Sequence, residues 1–176
     1  MASDSKSLFE RVTNSIQQLS VVATDLNLAS DELGQAISAI DTVLQGLNLG
    51  VPTWVQIHGY TGPDEDFWQR DVGYAKVGNR WGIALRTMEG NHNWPEDSTC
   101  ESWLFNDSPR WLRVEGVGKI PDLLEALIKN TEETTKKIKS KTAEAKLLAG
   151  TIAQAAKKAN RKITLDDLAQ APKGSK

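Results

Sequence analysis

Cys100, His58 and His92 are the side chains of this sequence that could act as nucleophile, base or metal ligand, and an acid such as Asp97 could complete a triad with them. Their spacing does not support that chemistry. No recognisable motif surrounds Cys100, and two histidines with scattered acids match no zinc-ligand spacing. There is no phosphate loop and no Gly-x-Gly-x-x-Gly. No catalytic residue, metal or cofactor is therefore expected. A small hydrolase or transferase working at the loop around these three residues stays as an alternative, and it requires at least two of them to meet in one pocket.

Lys136, Lys137, Lys139 and Lys141, followed by Lys146, Lys157, Lys158, Arg161 and Lys162, could grip phosphates. Glu132, Glu133 and Glu144 dilute that field, and the whole chain has a formal charge of −2. A solvated helix face is the expected reading, and a nucleic-acid-associated helical hairpin is an alternative. Membrane binding is not expected, because the apolar side of the same stretch is rich in Ala and Thr rather than bulky residues.

The tryptophans are the most unusual feature. All six lie between Trp54 and Trp111, with both tyrosines, Phe67 and Phe105. Trp81, Trp103 and Trp111 fall on predicted strands and are expected to pack inward. Trp68 and Trp94 stand in polar surroundings, Asp64-Glu-Asp-Phe-Trp-Gln-Arg and Asn91-His-Asn-Trp-Pro-Glu-Asp. Aromatic residues rimmed by polar groups mark interfaces. Trp68, Trp94, Phe67 and His92 are thus the candidates for binding a protein partner.

The bulk numbers bound what could position these groups. The 176 residues are 39% hydrophobic and 25% charged, neither disordered nor membrane-like in composition. The start of the chain has no basic stretch followed by an apolar one, which argues against a secretory signal. A single cysteine excludes an intramolecular disulfide, and a reducing cytoplasm is the expected home. Charge is unevenly spread: residues 1–48 and 49–118 each carry −4, and residues 119–176 carry +6.

Residues 1–50 read as one long helix, opened by a capping box at Ser7-Leu8-Phe9-Glu10 and closed before Gly50 and Pro52. Val12, Leu19, Leu26, Leu33, Ile40 and Leu47 recur seven apart, as do Phe9, Ile16, Ala23, Ser30, Ile37 and Leu44. Val22 and Val43 widen the seam, which predicts more than one neighbour. Residues 119–162 read as a second helix opened by Ile120-Pro121-Asp122, in which Ile138 and Ile152 stand on a weak seam of small and β-branched residues. Thr164–Leu168 reads as a short capped turn and the rest of 163–176 as a flexible tail.

Residues 51–118 read as a tryptophan-rich β head of about four or five antiparallel strands. Thr53–Tyr60 is a strand, and Asp71–Val77 and Arg80–Met88 flank a Gly78-Asn79 hairpin turn. Glu89–Thr99 is expected as a polar loop, and Glu101–Phe105 with Trp111–Val117 as a second hairpin. The whole is an α+β chain: a long antiparallel helical hairpin, a coiled-coil stalk, with a small antiparallel β-sheet head inserted between its helices. Antiparallel pairing would set Leu33 near Ile138 and Leu19 near Ile152, with an acidic helix along a basic one. The function expected is a non-enzymatic scaffold. The stalk self-associates as a homo-oligomer, with a dimer favoured, through Leu19, Leu26, Leu33, Ile40, Val22, Val43, Ile138 and Ile152. The head meets an unidentified protein partner.

Overall fold

The computed structural model describes residues 2–169, with side-chain surroundings for residues 8–159; the tail expected at 170–176 lies outside them. Among the described residues the chain is α+β, with three α-helices and one four-stranded antiparallel sheet. By its contacts it divides into Met1–Asn130 and Thr131–Lys176.

Helix α1 (Ala2–Leu47) is helical upstream of the expected capping box. It ends where the sequence places the stop: Asn48 takes φ 48° and Gly50 φ 61°, left-handed conformations that terminate a helix before Pro52. The sheet then forms from β1 (Thr53–Thr61), β2 (Asp66–Val77), β3 (Arg80–Asn91) and β4 (Trp94–Leu104), in the order β1-β2-β3-β4. Val77 pairs with Arg80 across the predicted turn, with Gly78 at φ 59°, the positive φ that such a tight hairpin requires.

Two expectations in the second half of the head fail. The polar loop at Glu89–Thr99 is mostly strand, because β4 begins at Trp94 and pairs with β3 from Asn91 back to Ala84. It is an edge strand whose residues 94–102 are all exposed, so it needs no apolar alternation and shows none. The strand expected at Trp111–Val117 is helix α2 (Arg110–Val117), reached through one turn of 3₁₀-helix at Phe105–Asp107. Trp111, Arg113 and Glu115 alternate with Leu112, Val114 and Gly116 in a way that imitates a strand. The buried set is instead Leu112, Gly116, Ile120, Leu123 and Leu127, spaced three or four apart and running on into helix α3 (Ile120–Ala169). Trp111 is consequently 47% exposed rather than inward. Trp81 and Trp103 do pack against the core, each partly buried.

Register separates the two faces of the sheet. Val72, Tyr74, Ile83 and Leu85 share one face and form the core with Ile37 and Leu44 of α1, Leu112 of α2, and Ile120, Leu123 and Leu127 of α3. Leu112 and Leu123 are fully buried, and truncating either to alanine costs about 2–5 kcal/mol. The second face is built on small residues, Gly73, Ala75, Gly82 and Ala84, all buried. The Trp54 ring lies directly over Gly73, its cross-strand partner, leaving no room for a Cβ. The Arg86 guanidinium lies 4.3 Å from the centroid of that ring, and its Nε is 2.7 Å from the buried Asp71 carboxylate.

Helix α1 also closes a gap in the sheet. β4 reaches only to Ala84, so the start of β3 has no strand on that side. Asp41 Oδ1 accepts the Ile83 N–H at 2.8 Å, and Gln45 Nε2 donates to the Trp81 carbonyl at 3.0 Å and to Asp41 Oδ2 at 2.9 Å. One helical turn thus supplies the partners that a fifth strand would supply. Partial burial raises the Asp41 pKa, opposed by the Ile83 and Gln45 hydrogen bonds. Burial, and then the Asp41 charge, raise the Tyr74 hydroxyl above its ordinary value.

The second unit, taken alone, is one helix. α3 continues from Thr131 through Thr164–Leu168 to Ala169, and from Thr135 to Ala159 every side chain is exposed.

Candidate functional site

The β1–β2 and β3–β4 turns lie at the same end of the sheet, because the strands run alternately up and down in the order β1-β2-β3-β4 and the β2–β3 turn takes the other end. Polar contacts tie them together. Asn91 Nδ2 donates to the Asp64 carbonyl at 2.9 Å and to Asp66 Oδ1 at 2.7 Å, and the His92 N–H donates to the Glu65 carbonyl at 3.0 Å. Glu65 takes φ 64°, and the Gly62 N–H closes its turn onto the Asp66 carbonyl at 2.7 Å. This brings the Phe67 and His92 rings into a stack, with centroids 4.5 Å apart and planes 16° from parallel.

Beside the stack is a cavity of about 230 Å³, bordered by Gln56, Gly59, Tyr60, Thr61, Phe67, Trp68, Gln69 and His92. Its floor exists because Gly59 has no side chain: a Cβ there would meet the Gln56 amide and, at 3.3 Å, the Trp68 carbonyl. Gln69 Nε2 donates to Asp71 Oδ1 at 2.7 Å, anchoring one wall to the buried Asp71–Arg86 pair. The cavity combines an aromatic wall with amide groups and has no acidic, lysine or arginine side chain among these residues. It can take up a flat apolar group and hydrogen-bond around it.

Of the four residues expected at a partner site, the structure joins Phe67 with His92, brings Trp68 to the same cavity by its backbone, and leaves Trp94 apart. Trp68 follows Phe67 in β2, so its side chain belongs to the opposite face. There the Arg70 guanidinium lies between two rings, 4.8 Å from Trp68 and 4.4 Å from Trp111, and its Nη1 meets Glu115 at 3.2 Å. Trp94 is 61% exposed at the start of β4, and among the described residues it stacks on no ring. Sequence reasoning missed Gln56, Gly59, Thr61 and Gln69. The available signal was a glycine inside a β-rich, uncharged segment, which marks a bulge or a close approach. It also missed the Arg70 sandwich, because Trp111 was placed on a strand.

The groups with nucleophilic or metal-binding chemistry do not converge. His58 lies on β1 and Cys100 on β4, the two edges of the sheet, three strand spacings or roughly 14 Å apart. His92 borders the cavity without either of them. Among the described residues no three His, Cys, Asp or Glu side chains are grouped to hold a metal ion.

The residues expected to self-associate fall into two groups. On α1, Leu19, Val22 and Leu26 are exposed by 62, 61 and 48%, with Phe9, Val12 and Ile16 equally bare. Leu33 and Ile40 pack, partly buried, against the head core, while Val43 faces outward. On α3, Ile138 and Ile152 are exposed. Lys136, Lys137, Lys139 and Lys141 are exposed as well, and Lys141 pairs with Glu144 at 2.8 Å. No helix among the described residues is long and apolar enough to cross a membrane. No family model, curated protein or solved structure matches this chain.

Proposed function

We propose that this chain is a non-enzymatic interaction protein that self-associates through its helices and presents the Phe67–His92 end of the head to a protein partner. The observation that carries the reading is the exposed apolar row on α1: Phe9, Val12, Ile16, Leu19, Val22 and Leu26. Residues with the same heptad phase farther along, Ile37 and Leu44, are buried in the head, so one seam serves two purposes. Two copies burying six such side chains each would gain at most about 18–36 kcal/mol before costs. Association costs about 4–15 kcal/mol, so a dimer is favoured.

In the finer form of this proposal, α1 and α3 pair as an antiparallel coiled-coil hairpin and two chains make a four-helix bundle. The acidic first helix and basic second helix, with matching heptads, support it. A cytoplasmic location goes with it, resting on the single Cys100, which is a free thiol. Sedimentation equilibrium at micromolar concentration tests the reading: a concentration-dependent dimer is expected, and a monodisperse monomer would count decisively against it.

A second reading rests on Lys136, Lys137 and Lys139, which face solvent without a carboxylate partner among the described residues. A nucleic-acid role through them requires binding that strengthens as salt falls, and no binding at low salt disposes of it.

A further inference from the structure

The sheet has two edge strands, and the sequence treats them differently. β4 carries Pro95, Glu96, Asp97 and Glu101, a proline and like charges that discourage another strand from joining. β1 has no proline and no acidic, lysine or arginine side chain. A bulge between Gln56 and His58 interrupts its register, after which His58–Thr61 pairs regularly with Arg70–Phe67 and stays exposed. Among the described residues, no backbone group of this run bonds outside the ladder with β2.

The open edge adjoins the cavity. A strand laid along His58–Thr61 would set a side chain beside Gly59, where the exposed Gln56 side chain now lies with its amide over the glycine and would swing aside to admit it. The sheet already covers one glycine with an aromatic ring, Trp54 over Gly73. Gly59 is the partner of Gln69 and has no ring over it, although the Phe67–His92 stack stands beside it. Past Thr61, the turn carries Asp64, Glu65 and Asp66, all exposed, so the end of the run is strongly acidic.

We propose that β1 takes up an extended peptide by strand addition, with an aromatic side chain entering the cavity over Gly59 and a basic side chain facing the Asp64–Asp66 turn. This rests on the reading that the head engages a protein partner, and it names the manner of engagement. Backbone hydrogen bonds give affinity in this mode, while the cavity and the acids choose the sequence. A second copy of β1 is the less suitable occupant, because that strand brings no lysine or arginine to the acidic turn.

The test selects a random nonapeptide display library on the full chain, then titrates the enriched peptide, made synthetically, by fluorescence anisotropy. The expected result is a consensus with an aromatic residue near Lys or Arg. Its binding falls at least tenfold with Gly59→Leu, with His92→Ala, and with N-methylation of alternate peptide amides. Thr99→Lys on β4 leaves it unchanged. Circular dichroism checks that each variant is folded; His92 is exposed, so its variant keeps the test open if Gly59→Leu does not fold. No enrichment over a blank surface overturns the proposal. So does an enriched peptide indifferent to N-methylation, or a chain whose dimer is broken by Gly59→Leu, which would assign the edge to a second copy. A dimer that persists while no peptide binds refutes strand addition and leaves helical self-association standing; a monomer that binds the peptide does the reverse.

Discussion

Replacing Asp41 by alanine removes the side chain that stands in for a missing strand. The Ile83 N–H donates to Asp41 Oδ1 at 2.8 Å, and Ile83 is only 1% exposed, so only a water entering from the cavity bordered by Ser38, Asp41 and Ile83 could replace the carboxylate. A hydrogen bond to a charged acceptor contributes about 1.5–3 kcal/mol, and a buried donor left unpaired costs a similar amount. Gln45 loses one of its two acceptors but is exposed and adds little. Asp41→Ala is therefore expected to destabilise by about 2–3 kcal/mol, which lowers Tm by roughly 4–12 °C for a chain of this size. Asp41→Asn keeps an acceptor for Ile83 and is expected to cost less than half as much. The two variants also differ with pH. Burial raises the Asp41 pKa above its ordinary 3.8, so the protonated form is the one that folding favours. The associated stabilisation is complete below 3.8 and is lost as pH rises through the elevated folded value. Wild type should gain stability relative to Asp41→Asn as pH falls from 6 toward 4. Urea unfolding at several pH values reads both effects. An alanine variant within about 0.5 kcal/mol of wild type, or an asparagine variant as damaged as alanine, would refute the assignment of Asp41 as an edge partner.

Other outcomes are equally specific. Gly73→Val drives a side chain into the Trp54 ring and should destabilise by about 1–3 kcal/mol, with a change in tryptophan near-UV circular dichroism; an unchanged spectrum and Tm would contradict the packing. Leu19→Glu with Leu26→Glu should abolish the proposed self-association without lowering the melting of the head, as both side chains are exposed within the chain; loss of head stability would show that they pack elsewhere. Arg70→Ala removes a cation lying between Trp68 and Trp111 and should cost about 1–2 kcal/mol with a shift in tryptophan emission, whereas Arg70→Lys recovers only part, since a lysine lacks the flat guanidinium.

The parts of the fold legible in sequence are those with a repeating physical cause. Heptads from Phe9 to Leu47 gave α1, and Gly78-Asn79 between two alternating runs gave the β2–β3 hairpin. The misread parts are those where the local pattern is ambiguous. Trp111–Val117 offers so few residues that period two and period 3.6 fit alike. Only its continuation into Ile120, Leu123 and Leu127 decides for helix. Only the end of β4, Glu101–Leu104, reads as strand in the sequence; Trp94–Cys100 does not, because a solvent-facing edge strand has no apolar face to announce it. Within the site, polar surroundings draw attention to Phe67 and His92, whose rings the structure stacks. Their stacking depends on the Asn91 and His92 contacts between two turns, which no short-range pattern encodes. Trp68 illustrates the opposite limit: a one-residue step along β2 sends it to the other face, beside Arg70.

The unbroken course of α1 has a mechanical side. Its residues 8–29 are bare, and its residues 30–45 include the seats against the head and the two side chains that cap β3. With no proline between Ala2 and Leu47, the bare part is a stiff arm of roughly 33 Å at ~1.5 Å per residue. Whatever grips that arm applies leverage at its fulcrum, where Asn106 bonds to Gly34 and Ser38 and Asp41 holds Ile83. Twisting or pulling the arm would load the exposed end of β3 before any other strand, so the helix is at once a handle on the sheet and its latch.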